Sequence, residues 1–74
     1  MPKNRAEQMG IVVNLKSIRK DKGLTQEELS RLVLLNSSRI SKIEAGIEVP
    51  SVVWGNRIAR ALNVTTFDIW KEKD

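Results

Sequence analysis

The chain has 74 residues, 13 Lys and Arg against 9 Asp and Glu for a net charge of +4, and neither cysteine nor histidine. That length allows one small domain, near the size at which a single core supplies only a few kcal/mol. The missing residue types exclude disulfides, the usual zinc sites and histidine-based catalysis. With no apolar run of about 18 residues and no signal peptide, a soluble cytoplasmic protein is expected, and the charge favours a polyanionic partner.

In chain order, Met1 to Gly10 carries Lys3, Arg5, Glu7 and Gln8 without apolar periodicity and reads as a loose arm with a frayed terminus. The alternative is a basic arm lying along phosphates or in a minor groove. A first helix is expected from about Ile11 to Lys22, with Val12, Leu15 and Ile18 inward and Gly23 ending it. Lys16, Lys20 and Lys22 read as a solvated basic face, with phosphate contact as the alternative.

The stretch from Thr25 to Gly46 reads as two short helices joined by a tight turn. Thr25 and Glu28 have the spacing of a capping box, in which hydroxyl and carboxylate each satisfy a free amide of the other residue. Leu29, Leu32 and Val33 then recur at three and four residues as an apolar stripe, and the pattern breaks at Leu34-Leu35-Asn36. Asn36 can cap a further helix, Ile40 and Ile43 face inward, and Gly46 is placed to close it in a left-handed conformation. At about 100° per residue, Ser37, Ser38, Ser41 and Lys42 lie on the opposite side with Arg39 on the flank, and no acid joins them. Taken alone, that face is the solvated side of a well-capped helix. The alternative is base and phosphate contact in a major groove, to which short hydroxyls and long cations are suited.

Pro50 and Ser51 open a further helix with Val52, Ile58, Ala59 and Leu62 as its core face, and Trp54 reads as core packing beside Gly55. Asn63-Val64-Thr65 makes a turn, and Thr66 caps a last short helix through Phe67, Asp68, Ile69 and Trp70. Phe67 and Trp70, three apart, can both enter the core. Ile69 then points elsewhere, either as an association surface with Trp70 or as an ordinary exposed isoleucine.

Four blocks carry a family resemblance: Leu15-Lys16-Ser17-Ile18-Arg19, Gly23-Leu24-Thr25-Gln26-Glu27-Glu28-Leu29, Ile40-Ser41-Lys42-Ile43-Glu44-Ala45-Gly46, and Pro50-Ser51 ahead of Arg57-Ile58-Ala59-Arg60-Ala61-Leu62-Asn63-Val64. In this order they resemble the lambda-repressor-like, Cro-type (Xre-type) helix-turn-helix transcriptional regulators, over Leu15 to Trp70. Four residues follow Trp70, so the resemblance is to the compact stand-alone form. It implies an all-α, five-helix DNA-binding domain over residues 11–74, in which the helix after Asn36 is the recognition helix. It further implies base readout by Ser37, Ser38, Ser41 and Lys42, DNA-backbone contact by Thr25, Gln26, Asn36 and Arg39, and mixed roles for Asn36, Arg39 and Ser41. Arg19 pairs with Glu44, and dimers form through the C-terminal end, here Ile69 and Trp70.

Some positions depart from the family pattern. Leu34 stands where a glycine commonly makes the turn, and a left-handed leucine costs about 1 kcal/mol or more. Ser30 replaces an alanine, tolerably if its hydroxyl bonds back to the preceding turn. Ile47 and Glu48 occupy a loop that often carries a basic residue, and Asn56 replaces a large apolar one. The expected function is sequence-specific binding of double-stranded DNA by a homodimer that represses transcription from a palindromic operator. No cofactor, metal, membrane or small-molecule ligand enters this reading. The rival is an antitoxin-like or adaptor module that uses the same fold on a protein. An enzyme is not expected, since Glu27, Glu28 and Glu44 are placed for capping and pairing.

Overall fold

Capping side chains and left-handed residues divide the chain into short helices. The computed structural model describes residues 4–73. Within them the order is α1 (Arg5–Gln8), β1 (Ile11–Val13), α2 (Leu15–Asp21), α3 (Gln26–Val33), α4 (Ser37–Glu44), α5 (Val52–Ala61), α6 (Thr66–Ile69) and β2 (Trp70–Glu72). The domain is mostly helical, with six helices among the described residues and one small two-stranded antiparallel sheet, formed by segments from the two ends of the chain, in place of five helices alone.

The central caps follow local chemistry. Thr25 Oγ1 accepts from the Glu28 amide at 3.0 Å while Glu28 Oε1 accepts from the Thr25 amide at 2.9 Å, which completes the capping box. Asn36 caps α4 and Ser51 caps α5 through the amides of Arg39 and Trp54. The last cap lies one residue earlier than expected: Thr65, not Thr66, forms a capping box with Asp68. Ser30 is buried, and its hydroxyl donates to the Glu27 carbonyl at 2.6 Å, so it occupies an alanine site without an orphaned polar group.

The core lies where α2, α3, α4, α5 and α6 meet, around fully buried Leu15, Leu29, Ile40, Ile43, Ile58 and Leu62. Each such side chain contributes about 1.5–3 kcal/mol relative to exposure. Leu32, expected on the α3 stripe, is exposed instead, because Leu29, Ser30 and Val33 centre the buried face and Leu32 falls beyond its edge. Val52 is likewise exposed. It occupies the first turn of α5, whose inward face is Gly55, Ile58, Ala59 and Leu62. The Gly55 position is covered by Trp70, whose Cζ3 would lie 3.4 Å from an added Cβ. Trp70 therefore fills the space that Gly55 leaves, while Trp54 packs partly on the core and carries the Arg57 guanidinium 4.7 Å above its ring.

Both termini depart from the sequence reading. Residues 4–10, expected as a loose arm, contain a one-turn helix capped by Asn4, with Ala6 buried; Met1 to Lys3 lie outside the described residues. The helix expected from Ile11 begins at Leu15. Ile11-Val12-Val13 is a β-branched run that favours extended backbone, and it pairs in register Ile11 with Glu72, Val12 with Lys71 and Val13 with Trp70. Val12 thus faces outward, not into a helical core.

The last helix is corrected in the same way. Ile69 has 0% exposure and lies in the core, whereas Phe67 is 82% exposed. The reason is that α6 makes a single turn and the backbone becomes extended at Trp70 (φ −113°, ψ 106°), so helical spacing does not continue through 70. Ile69 therefore has no surface to offer an interface in this fold, and Trp70 is largely buried, packed against the core.

Candidate nucleic-acid interface

Helix α4 is fixed from beneath by Ile40 and Ile43, both fully buried. That orientation leaves Ser37, Ser38, Ser41 and Lys42 exposed together on its outer side. Asn36 holds the N-terminal end: its Oδ1 accepts from the Arg39 amide at 2.8 Å and from Ser38 Oγ at 2.9 Å. The turn before it is tight. Leu34 adopts φ 61°, ψ 35°, the left-handed conformation that glycine accepts more readily, with its side chain 76% exposed.

The one carboxylate of α4 is turned inward. Glu44 receives Arg19 Nε on Oε2 at 2.5 Å and Arg19 Nη2 on Oε1 at 3.2 Å, and the two side chains are 4% and 8% exposed respectively. Arg19 Nη1 donates to the Leu24 carbonyl at 2.8 Å, and Gln26 Nε2 donates to Glu44 Oε1 at 2.9 Å. The network ties α2, α3 and α4 together and removes the only acid of α4 from its exposed face. Hydrogen bonding to Glu44 raises the Arg19 pKa further, so the guanidinium stays charged.

The structure brings Thr25 and Gln26 to the start of α3. Thr25 is engaged in its cap, and the Gln26 amide group is committed to Glu44. Arg39, on the flank of α4, is paired as well: Nε donates to Glu48 Oε2 at 3.1 Å, and Nη2 donates to the same oxygen. Glu48 thereby neutralises a cation beside the exposed face of α4. In the sequence Glu48 stands in a loop that often carries a basic residue, and the opposite charges of Arg39 and Glu48 were the available signal for the pair. Among the described residues no cluster of acidic side chains could hold a metal ion, and no helix is long and apolar enough to cross a membrane.

A family model described as helix-turn-helix matches residues 15–69. An uncharacterised HTH-type transcriptional regulator from Methanothermobacter thermautotrophicus is 48% identical over 44 residues, covering 60% of this chain and 64% of that protein. The match thus spans just under two thirds of that relative. Among solved structures, the restriction-modification controller protein C.AhdI from Aeromonas hydrophila is similar at TM-score 0.68 and 34% identity, over 72% of this chain and 80% of its own. SinR, described as a master regulator for biofilm formation and solved in complex with DNA, is similar at TM-score 0.67 and 28% identity, over 72% and 86%. The chain belongs to the Xre-like helix-turn-helix (HTH_3) family of transcriptional regulators.

Proposed function

We propose that the protein binds double-stranded DNA sequence-specifically through α4 and represses transcription as a homodimer on a palindromic operator. The observation that carries this reading is the outer face of α4. Ser37, Ser38, Ser41 and Lys42 are exposed together on a helix whose buried side is locked by Ile40 and Ile43 and whose only acid is turned into the core. In a major groove, Lys42 reaches an acceptor such as guanine O6 or N7, and the serines donate to or accept from base edges. The amides at the start of α3 and the Thr25 hydroxyl contact phosphates and set the register. Arg39 adds a phosphate contact from the unshared side of its guanidinium.

The dimer face is built around Phe67. Its exposed ring shares a concave surface with Ile11, Trp70, Lys71 and Glu72. In a two-fold dimer the same patch of each subunit meets its copy, so the exposed Phe67 ring of one subunit packs on that of the other. To read a palindromic operator, the two recognition helices of the dimer must lie roughly 34 Å apart, one turn of DNA. Covering two successive major grooves blocks polymerase access, the simplest route to repression.

The test is selection of bound duplexes from a random pool, followed by affinity against salt for the winners and for unselected DNA. An enriched palindrome with half-sites one turn apart supports the reading. Lys42→Ala is expected to cost about 1–3 kcal/mol on the selected site and much less on random DNA; equal loss on both assigns Lys42 to phosphate. Binding that is blind to sequence and vanishes at physiological salt overturns the reading in favour of a protein-binding module.

A further inference from the structure

The segment before Leu15, outside the family-matched residues 15–69, docks against the far end of α4. A helix leaves its last carbonyls without intrahelical partners. At the end of α4, the carbonyls of Ser41, Ile43 and Lys42 accept from the amides of Ala45, Gly46 and Ile47 at 3.0–3.1 Å. The carbonyls of Ala45 and Gly46, just past the last residue of α4, are taken by the N-terminal segment. Asn4 Nδ2 donates to the Ala45 carbonyl at 3.1 Å, and the Ala6 amide donates to the Gly46 carbonyl at 2.9 Å.

The same Asn4 side chain works in both directions, since its Oδ1 accepts from the Glu7 amide at 2.9 Å and so caps α1. Ala6 is buried, and its Cβ lies 3.1 Å from where a Cβ at Gly46 would stand, so the two backbones meet closely. Gly46 also adopts φ +79°, which adds a conformational reason for glycine there. The brace is anchored behind by the two-stranded sheet, at whose ends Lys73 N donates to the Gly10 carbonyl at 2.7 Å and Asn14 N donates to the Ile69 carbonyl at 2.7 Å.

We infer that Asn4 is a positioning residue for DNA readout: through its bond to Ala45 it holds the C-terminal end of the recognition helix, and with it Lys42 one turn back, in the geometry that discriminates bases. The inference rests on the DNA-binding reading. Base contacts tolerate a displacement of only about 0.5 Å. Phosphate contacts, made by long flexible cations, tolerate more. An unbraced α4 therefore loses affinity for its operator while keeping its affinity for random DNA.

Two variants separate the roles of Asn4. Asn4→Ala removes both the α1 cap and the bond to Ala45, whereas Asn4→Ser keeps a capping oxygen but has no amide to donate to Ala45. The experiment measures amide hydrogen exchange in the full chain, together with affinities for selected and random duplexes. Both variants are expected to speed exchange at Gly46, Ile47 and Glu48 about five- to tenfold, the effect of losing one ordinary hydrogen bond. Both are expected to lower the ratio of selected to random affinity at least threefold, with random-DNA affinity unchanged. Faster exchange confined to Arg5–Met9, or faster by one factor throughout the chain, overturns the inference. So does local loosening of α4 with an undiminished ratio. If the unsubstituted protein shows no sequence preference, the DNA reading fails and the role in readout falls with it. Unchanged discrimination in the variants beside a discriminating wild type defeats the inference alone.

Discussion

Arg19 and Glu44 tie α2, α3 and α4 together and take the only acid of α4 off its exposed face. Their side chains are nearly inaccessible, and each polar end of the pair is bonded more than once, with Leu24 and Gln26 completing the network. Removing one partner strands a buried charge. Glu44→Ala is expected to cost about 3–5 kcal/mol, read as a lower denaturant midpoint at constant slope; a loss within 1 kcal/mol would place Arg19 in solvent contact. Leu34 works the other way. Its left-handed backbone is strained and its side chain is mostly in water, so little packing offsets the strain. Leu34→Gly is expected to stabilise by about 0.5–1 kcal/mol in the same denaturation experiment, with α4 unmoved. Both positions were legible in the sequence, the pair through the family resemblance and the leucine as an odd residue at a turn. The double use of Gln26 and the clasp of Arg39 by Glu48 were not, because a side chain's partner depends on which elements are adjacent.

At the scale of elements, caps have a pH signature. The amides of Thr25 and Thr65 hold Glu28 and Asp68 below the usual carboxylate range. A carboxylate whose pKa is lower folded than unfolded contributes stability above its unfolded value, near 4, and that contribution disappears as pH falls through the folded value. Thermal midpoints of the wild type and Glu28→Gln are therefore expected to differ at about pH 6 and to converge as the pH falls below the usual carboxylate range. A constant gap would mean that the cap acts without its charge. The starts of α3, α4 and α5 were legible because a cap is a local contact between residues three apart. The strands were not. Ile11-Val12-Val13 has β-branched character, but three residues form a strand only when a partner arrives, and that partner lies about sixty positions away in the chain.

Across the whole molecule, the proposed recognition face and the proposed dimer face lie on different elements, α4 and the α6–β2 end. They are joined through the core by Ile69 and through the two-stranded sheet and α1 to the end of α4. Phe67→Glu is expected to shift the protein from dimer to monomer in sedimentation while its circular dichroism stays native. Ile69→Glu instead places a charge in a dry core and unfolds the chain. A monomeric wild type, or a Phe67→Glu variant that remains dimeric, would remove Phe67 from the interface.

The sequence by itself determined the helix-turn-helix unit, its caps and the outward side of α4, and the family resemblance added the pairing of Arg19 with Glu44. These follow from signals within a few residues or from an ordered set of motifs. Only the tertiary structure decided that Ile69 is core and Phe67 surface, that Val52 and Leu32 lie outside, and that Asn4 reaches the end of α4. Periodicity names the faces of a helix long enough to have a period. A single turn such as α6 or α1 has none, and the neighbour it meets determines which side is buried.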